Sequence, residues 1–303
     1  MAYRFELDEP LADAVRRVLK AQARSIAAAL AEKGALAARV HRSRKGLKRL
    51  RAVLILLRPA LDEAVVGCEI TFYRDLGRAL AGARDAQGRV DALAALDRRF
   101  AVEPDAVAAI AAIEARLSAQ RSSAERTLGP ARRQALIAGL EDAHRRLDTL
   151  RLDAVTVDTL AAGAAISYRA ARRAMKRAYR TGDDERFHGW RKHTQRHGRH
   201  LRLFNPVWPE MLAARAATAR QIAALLGEDH DLTLLRQSLD ETSSSQTLMV
   251  ETLCGNRQTE LRAQARPLGR RLYAEPPDHL VSSLASYWRA AGEAQAAAVA
   301  VPA

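Results

Sequence analysis

Two short segments of the chain carry clusters of histidine, arginine and lysine at nearly the same spacing. The first begins at His41 and the second at His188, about 147 positions later, and each opens with an apolar residue followed by His-x-x-Arg-Lys. Neither stretch, 40–54 or 187–201, contains an acidic residue. Guanidinium and ammonium groups bind phosphate oxygens through charge-assisted hydrogen bonds. These residue types at this spacing favour the binding of a polyanion.

A helix would place the basic residues of each segment on one side. At about 100° per residue, Leu47 and Leu50 fall opposite His41, and Trp190 falls opposite His188. The helices that precede the two segments carry further basic residues on one arc. We therefore predict that the polyanion is bound by His41, Arg44, Lys45, Lys48, Arg49 and Arg51, by His188, Arg191, Lys192, Gln195, Arg199 and Arg202, and by Arg17, Lys20, Arg24, Arg169, Arg172, Arg173 and Lys176 of the preceding helices.

The overall charge is consistent with an anionic partner. The 303 residues carry a formal net charge of +14, which favours nucleic acid, phosphate polymers or an anionic surface as partners. Only six of the 49 lysines and arginines are lysines, so most cations can bind phosphate oxygens in pairs. Two widely spaced cysteines and no long uncharged apolar run predict a cytoplasmic protein without a membrane span.

The elements that must position these residues are predicted to be helices. Alanine and leucine dominate, helical periodicity runs almost throughout, and no stretch alternates as a strand does. We predict an all-α domain over 5–300, made of an N-terminal helical bundle at 5–154 and a C-terminal one at 155–300. The two basic segments lie at matching places in these halves, which indicates an internal duplication.

The helical periodicity also predicts two gaps between helices near the basic segments. In the first half it predicts one helix over about 62–83 and another over 89–100. In the second half it predicts helices over 209–227 and 230–241.

Taken together, these segments resemble the CHAD family, the conserved histidine α-helical domain. The resemblance covers about residues 5 to 300. The matching segments are His41-x-x-Arg44-Lys45-x-x-Lys48-Arg49-x-Arg51, Tyr168-Arg169-x-x-Arg172-Arg173 leading to His188-x-x-Arg191-Lys192, Arg84-Asp85, and Gln221-x-x-x-x-Leu226-Gly227-Glu228-x-x-Asp231. Gln195 and Gly198 depart from the pattern, since they stand where the first segment has Lys48 and Arg51.

The resemblance implies a fold and a ligand. The fold is two four-helix bundles related by a pseudo-twofold, with a basic central cavity or pore between them. The implied ligand is inorganic polyphosphate, and some relatives associate with polyphosphate or polyhydroxyalkanoate storage granules. The Glu-x-Glu-x-Lys motif of the triphosphate-tunnel domain that is often fused to relatives is absent from residues 5–9.

We expect a binding protein without catalytic residues or cofactors. No Ser-His-Asp set, glycine-rich phosphate loop or paired catalytic carboxylate is evident. His193, His197 and His200 have a spacing that could hold a metal, but they lie among arginines, so a structural role is favoured. Two alternatives remain open: a helical nucleic-acid-binding protein and a metal-dependent phosphatase or polyphosphatase.

Overall fold

The protein is built from α-helices throughout the part of the chain that the structure describes. The computed structural model describes residues 3–100, 104–239 and 244–300, and within these ranges it contains no β-strand. The all-α prediction is therefore confirmed. In chain order the helices are α1 (Leu11–Ala31), α2 (Leu36–Leu56), α3 (Glu63–Ala79), α4 (Ala81–Phe100), α5 (Pro104–Arg126), α6 (Pro130–Asp148), α7 (Val157–Thr181), α8 (Asp184–Leu203), a 3-10 turn (Asn205–Val207), α9 (Pro209–Gln237), α10 (Ser245–Leu272) and α11 (Pro277–Ala300).

Local sequence accounts for the ends of the helices that carry the site. Helix α7 begins at a capping box, in which the Thr156 hydroxyl accepts from the Thr159 amide and the Thr159 hydroxyl accepts from the Thr156 amide. It ends at Gly182, whose φ of 78° is left-handed and favours glycine. Helix α8 therefore starts two residues later and returns along α7.

The helices of the two halves have corresponding neighbours. Helix α1 packs against α2 and α6, and α7 packs against α8 and α11. Across the middle of the molecule, α2 contacts α8, α4 contacts α9, and α5 contacts α10. An internal duplication would produce this arrangement, and the pseudo-twofold relation remains a prediction.

The hydrophobic core forms two clusters, and each draws on both halves of the sequence. The larger cluster lies mainly between α1, α2, α7, α8 and α11 and contains the fully buried Trp190 and Leu50. The smaller one lies between α4, α5, α9 and α10. Since both clusters join helices from either side of residue 155, the two halves share their cores, and the division at that point remains a prediction. No helix in the described ranges is long and apolar enough to cross a bilayer.

The gaps predicted between helices at 84–88 and at 228–229 were wrong. Helix α9 runs unbroken from Pro209 to Gln237, and α4 begins at Ala81. Gly88 and Gly227, which fall in or next to these gaps, lie where charged groups pass close to the helix backbone. A Cβ on Gly227 would lie 3.2 Å from Arg191 Nη2, and one on Gly88 would lie 2.7 Å from Arg84 Nη1. These glycines therefore make room for arginines and do not end a helix.

A substitution at Gly163 tests the close packing of α7 on α2. A Cβ there would lie 2.0 Å from the carbonyl oxygen of Leu56, which is a backbone atom and cannot rotate away. We predict that Gly163→Ala lowers the free energy of unfolding by about 1–3 kcal/mol, as overpacked cores do. Gly255→Ala is the matched control, since nothing lies within 4 Å of its Cβ position. It should raise stability by about 0.5–1 kcal/mol. Urea denaturation measures both, and equal effects would contradict the assigned contact.

Candidate anion-binding site

A basic cavity of about 400 Å³ lies between α2, α3, α4, α8 and α9. We call it the central cavity. Its carboxylates are Asp85 and Asp231. Ten basic side chains line it: Arg44, Lys48, Arg51, Arg74, Arg78, Arg84, Arg191, Lys192, Arg196 and Arg199. This excess of positive charge in a concave space is suited to holding an anion that carries several charges.

The apolar sides of α2 and α8 orient the basic sides toward the cavity. Leu47 and Leu50 of α2 are buried in the larger core cluster, and so are Trp190 and Leu201 of α8. The helices touch each other, so the faces that remain outside the core converge on a common space. The amphipathic pattern thus determines where the charges lie.

Several guanidinium donors in the cavity are buried without a hydrogen-bond partner in the described structure. They are Arg51 Nε, Arg84 Nη1 and Arg191 Nε. Other donors in the same cavity are satisfied: Arg44 donates to the Gly77 carbonyl at 2.9 Å, and Arg84 Nη2 donates to Asp231 at 3.1 Å. Buried donors without acceptors are uncommon and costly, so the unpaired groups favour an acceptor supplied by a ligand.

Burial, together with the neighbouring cations, lowers the pKa values of two basic groups in the central cavity. Burial, together with Arg191 and Arg44, lowers the pKa of Lys48 to about 7. Burial, with Arg51 and Arg58, lowers the pKa of Arg196 to about 10. Each of these groups would be easier to charge beside a bound anion, because an opposite charge favours the ionised form.

Two histidines are stacked inside the cavity. The rings of His188 and His230 have centroids 3.6 Å apart and planes inclined by 26°. Burial and the neighbouring cations lower the pKa of His188 to about 2 and that of His230 to about 4. Both rings are therefore neutral at pH 7 and carry one N–H donor each. His41, the matching residue of α2, is exposed and does not line this cavity.

A second cavity of about 890 Å³ adjoins the first. Gln195 and Arg199 line both cavities. The predicted residues Lys45, Arg49 and Arg202 line the second cavity, together with Arg4 and Arg220, and no carboxylate is among its described lining residues. Apart from His41, which lines neither, the predicted residues of α2 and α8 are thus divided between these two neighbouring cavities.

The predicted residues of α1 lie elsewhere. Arg17 forms an ion pair with Glu9, and Lys20 pairs with Asp148 at 2.6 Å. Arg24 is exposed and lines neither cavity. The acids come from the segment before α1 and from the end of α6, so the pattern within α1 could not reveal them.

The predicted residues of α7 also lie outside both cavities. Arg169 is within 3.4 Å of Asp278, and Arg173 is exposed. Arg172 and Lys176 line a groove between α7 and α10 instead. The structure therefore brings together the residues of α2 and α8 and separates them from those of α1 and α7.

Sequence reasoning missed several lining residues. Arg74 and Arg78 of α3 have i, i+4 spacing, which could have indicated a common face. Arg196 is one helical turn beyond Lys192. Asp231 lies inside α9, so it does not cap a helix, and it accepts a hydrogen bond from Arg84 at 3.1 Å.

None of the three closely spaced histidines of α8 lines the central or the second cavity. His197 and His200 are buried, and the His200 ring lies 2.8 Å from the Ala52 carbonyl oxygen. Among the described residues, no group of three His, Cys, Asp or Glu side chains is arranged to hold a metal ion.

Comparisons with known proteins identify one family and two similar solved structures. The sequence profile of the CHAD domain matches residues 11–240. Among solved structures, PptA from Streptomyces chartreusis aligns with a TM-score of 0.62 at 17% identity, over 88% of this chain and 100% of that one. A CHAD domain from the plant Ricinus communis aligns with a TM-score of 0.53 at 21% identity, over 96% and 95% of the two chains. No curated protein sequence matches significantly.

Lys48 offers a test of the repulsion inside the central cavity. Its lowered folded-state pKa means that the unfolded chain binds this proton more tightly. The charged Lys48 therefore lowers the free energy of unfolding by its full amount below pH 7. This effect becomes smaller as the pH rises from 7 toward 10.5, because the folded protein then holds Lys48 neutral. We predict that Lys48→Met raises the free energy of unfolding at pH 6.5 by on the order of 1 kcal/mol, and by less at pH 9.

Urea titrations at the two pH values measure this effect. Lys33→Met is the control, since Lys33 is exposed in the loop between α1 and α2. A Lys48→Met protein that is less stable than wild type at pH 6.5, or whose gain does not change with pH, would contradict the assigned electrostatics.

Proposed function

This chain belongs to the CHAD family, and we propose that it binds inorganic polyphosphate in the central cavity without catalysing a reaction on it. The observation that carries the proposal is the set of buried, unpaired guanidinium donors among ten converging cations. Polyphosphate carries a negative charge on each unit and presents acceptor oxygens along its whole length. Each oxygen can therefore satisfy a donor that folding leaves unpaired.

The shared wall between the two cavities supports the binding of an extended chain. Arg199 faces both hollows, and the second cavity adds three predicted cations, Lys45, Arg49 and Arg202. We propose that a chain longer than the central cavity continues past Arg199 into the second cavity, so that the two together act as a pore. The cations are held by packed helices, so little ordering is required on binding.

The arrangement of carboxylates favours binding over phosphate hydrolysis. Metal-assisted phosphoryl chemistry needs several carboxylate or histidine ligands around one ion. In the central cavity, Asp231 is engaged by Arg84, and Asp85 is the other carboxylate. This supports a non-catalytic role, and phosphate release from polyphosphate in the presence of Mg²⁺ or Mn²⁺ would overturn it.

The scarcity of aromatic side chains favours polyphosphate over nucleic acid. Proteins that bind single strands stack bases on Phe, Tyr or Trp. No such residue lines the described part of the central cavity, where the only rings are those of His188 and His230. We propose a cytoplasmic location, with polyphosphate granules as a site of association that would follow from the same binding.

Charge reversal at Arg44 and Arg191 tests the proposed function. The two residues lie on α2 and α8 and line the central cavity. We predict that the double variant Arg44→Glu and Arg191→Glu weakens polyphosphate binding about 100-fold or more, since each lost charge-assisted hydrogen bond is worth roughly 1.5–3 kcal/mol. Isothermal titration calorimetry with chains of defined length measures the change.

A second double variant controls for net charge. Arg132 and Arg151 are exposed and line neither cavity, so Arg132→Glu with Arg151→Glu makes the same charge change elsewhere. It should keep nearly the wild-type affinity. Equal losses in the two double variants, or displacement of polyphosphate by single-stranded DNA at equal phosphate concentration, would contradict the proposed site or ligand.

A further inference from the structure

A third concave surface, with its own set of lining residues, lies between α7 and α10. We call it the outer groove. It has a volume of about 470 Å³, which is within the range of small-molecule sites. Nine residues line it: Arg172, Met175, Lys176, Tyr179, Arg180, Arg266, Gly269, Arg270 and Tyr273. None of them lines the central or the second cavity.

The rim of the outer groove is cationic along both helices. On α7, Arg172, Lys176 and Arg180 follow one another at four-residue intervals and extend over about 12 Å. On α10, Arg266 and Arg270 face them with the same interval. None of these five side chains forms an ion pair within the described ranges, and no carboxylate lines the groove. The groove therefore offers charge complementary to a ligand with several negative charges.

The floor of the groove has a different chemistry from the rim. It is formed by Met175, Tyr179, Gly269 and Tyr273, so it is apolar and aromatic. The Tyr179 ring is packed edge-on against Trp190, and the Arg266 guanidinium lies over it at 5.2 Å from the ring centre. A planar guanidinium on an aromatic ring forms a surface on which a further flat ring can stack.

We propose that the outer groove binds a nucleoside polyphosphate, with the base on the Met175, Tyr179 and Arg266 surface and the phosphates along the cationic rim. A triphosphate carries several charges in a row, which matches the row of cations on α7. The apolar floor distinguishes this groove from the central cavity, whose lining has no Phe, Tyr, Trp or Met. An inorganic polyphosphate would leave that floor uncovered, and a single carboxylate would leave most of the rim without a partner.

The proposal predicts a preference for ATP over inorganic tripolyphosphate. We expect ATP to bind at least tenfold more tightly than tripolyphosphate to a protein that carries Arg44→Glu and Arg191→Glu, in which the central cavity is disabled. Calorimetric titration of the two ligands measures the ratio. Lys176→Gln with Arg270→Gln, added to this protein, should weaken ATP binding tenfold or more.

The chain offers a matched control one position along each helix. Arg177 and Arg271 are exposed and adjoin Lys176 and Arg270, but they do not line the groove. Arg177→Gln with Arg271→Gln removes the same charge and should leave ATP binding within about twofold of its starting value. Equal weakening by the two pairs, or equal affinity for ATP and tripolyphosphate, would overturn the proposal.

A measurement on the wild-type chain covers the case in which the combined variants do not fold. Saturation-transfer NMR should show magnetisation passing from the protein to the base protons of ATP, and Lys176→Gln with Arg270→Gln alone should reduce it. No transfer to the base protons would overturn the proposal. This test can be told apart from the test of polyphosphate binding. Arg44→Glu with Arg191→Glu should abolish polyphosphate binding in the central cavity and leave the magnetisation transfer to the base protons of ATP unchanged.

Discussion

The packing of α2 against α8 holds seven of the ten cations around the central cavity, and the rest of the site depends on this constraint. Like charges that converge without acids destabilise a folded protein. Here the burial of the apolar sides of the same two helices offsets this unfavourable free energy. Leu50 of α2 and Trp190 of α8 both belong to the larger core cluster. Burial, with a further contribution from neighbouring cations, lowers the pKa values of Lys48 and Arg196. A bound anion would favour the charged form of both groups.

Two glycines and one aspartate beside the cavity position its arginines. Gly227 and Gly88 let Arg191 and Arg84 lie against helix backbones that a side chain would block. Asp231 accepts a hydrogen bond from Arg84 Nη2, while Arg84 Nη1 makes no hydrogen bond in the described structure and has Asp91 at 3.9 Å. The framework therefore fixes the arginines in place while leaving donors for a ligand.

Part of this could be predicted from sequence because it depends on periodicity. The all-α fold and the convergence of Arg44, Lys48, Arg191 and Lys192 follow from two amphipathic helices with matching patterns. The partners of Arg17 and Lys20 could not be predicted, since Glu9 and Asp148 lie outside α1 and meet it only in the folded chain. For the same reason the outer groove was not foreseen: it needs α7 and α10, which are more than sixty residues apart in sequence.

Proton uptake on binding tests the central claim most directly. At pH 8.5 Lys48 is largely neutral in the free protein, because its pKa is about 7. A polyphosphate chain in the central cavity would raise that pKa and draw a proton from solution. Calorimetry in two buffers with different ionisation enthalpies should therefore show an uptake of about one proton per bound chain, and Lys48→Met should abolish it. Tight binding with no proton uptake by the wild-type protein would contradict the account.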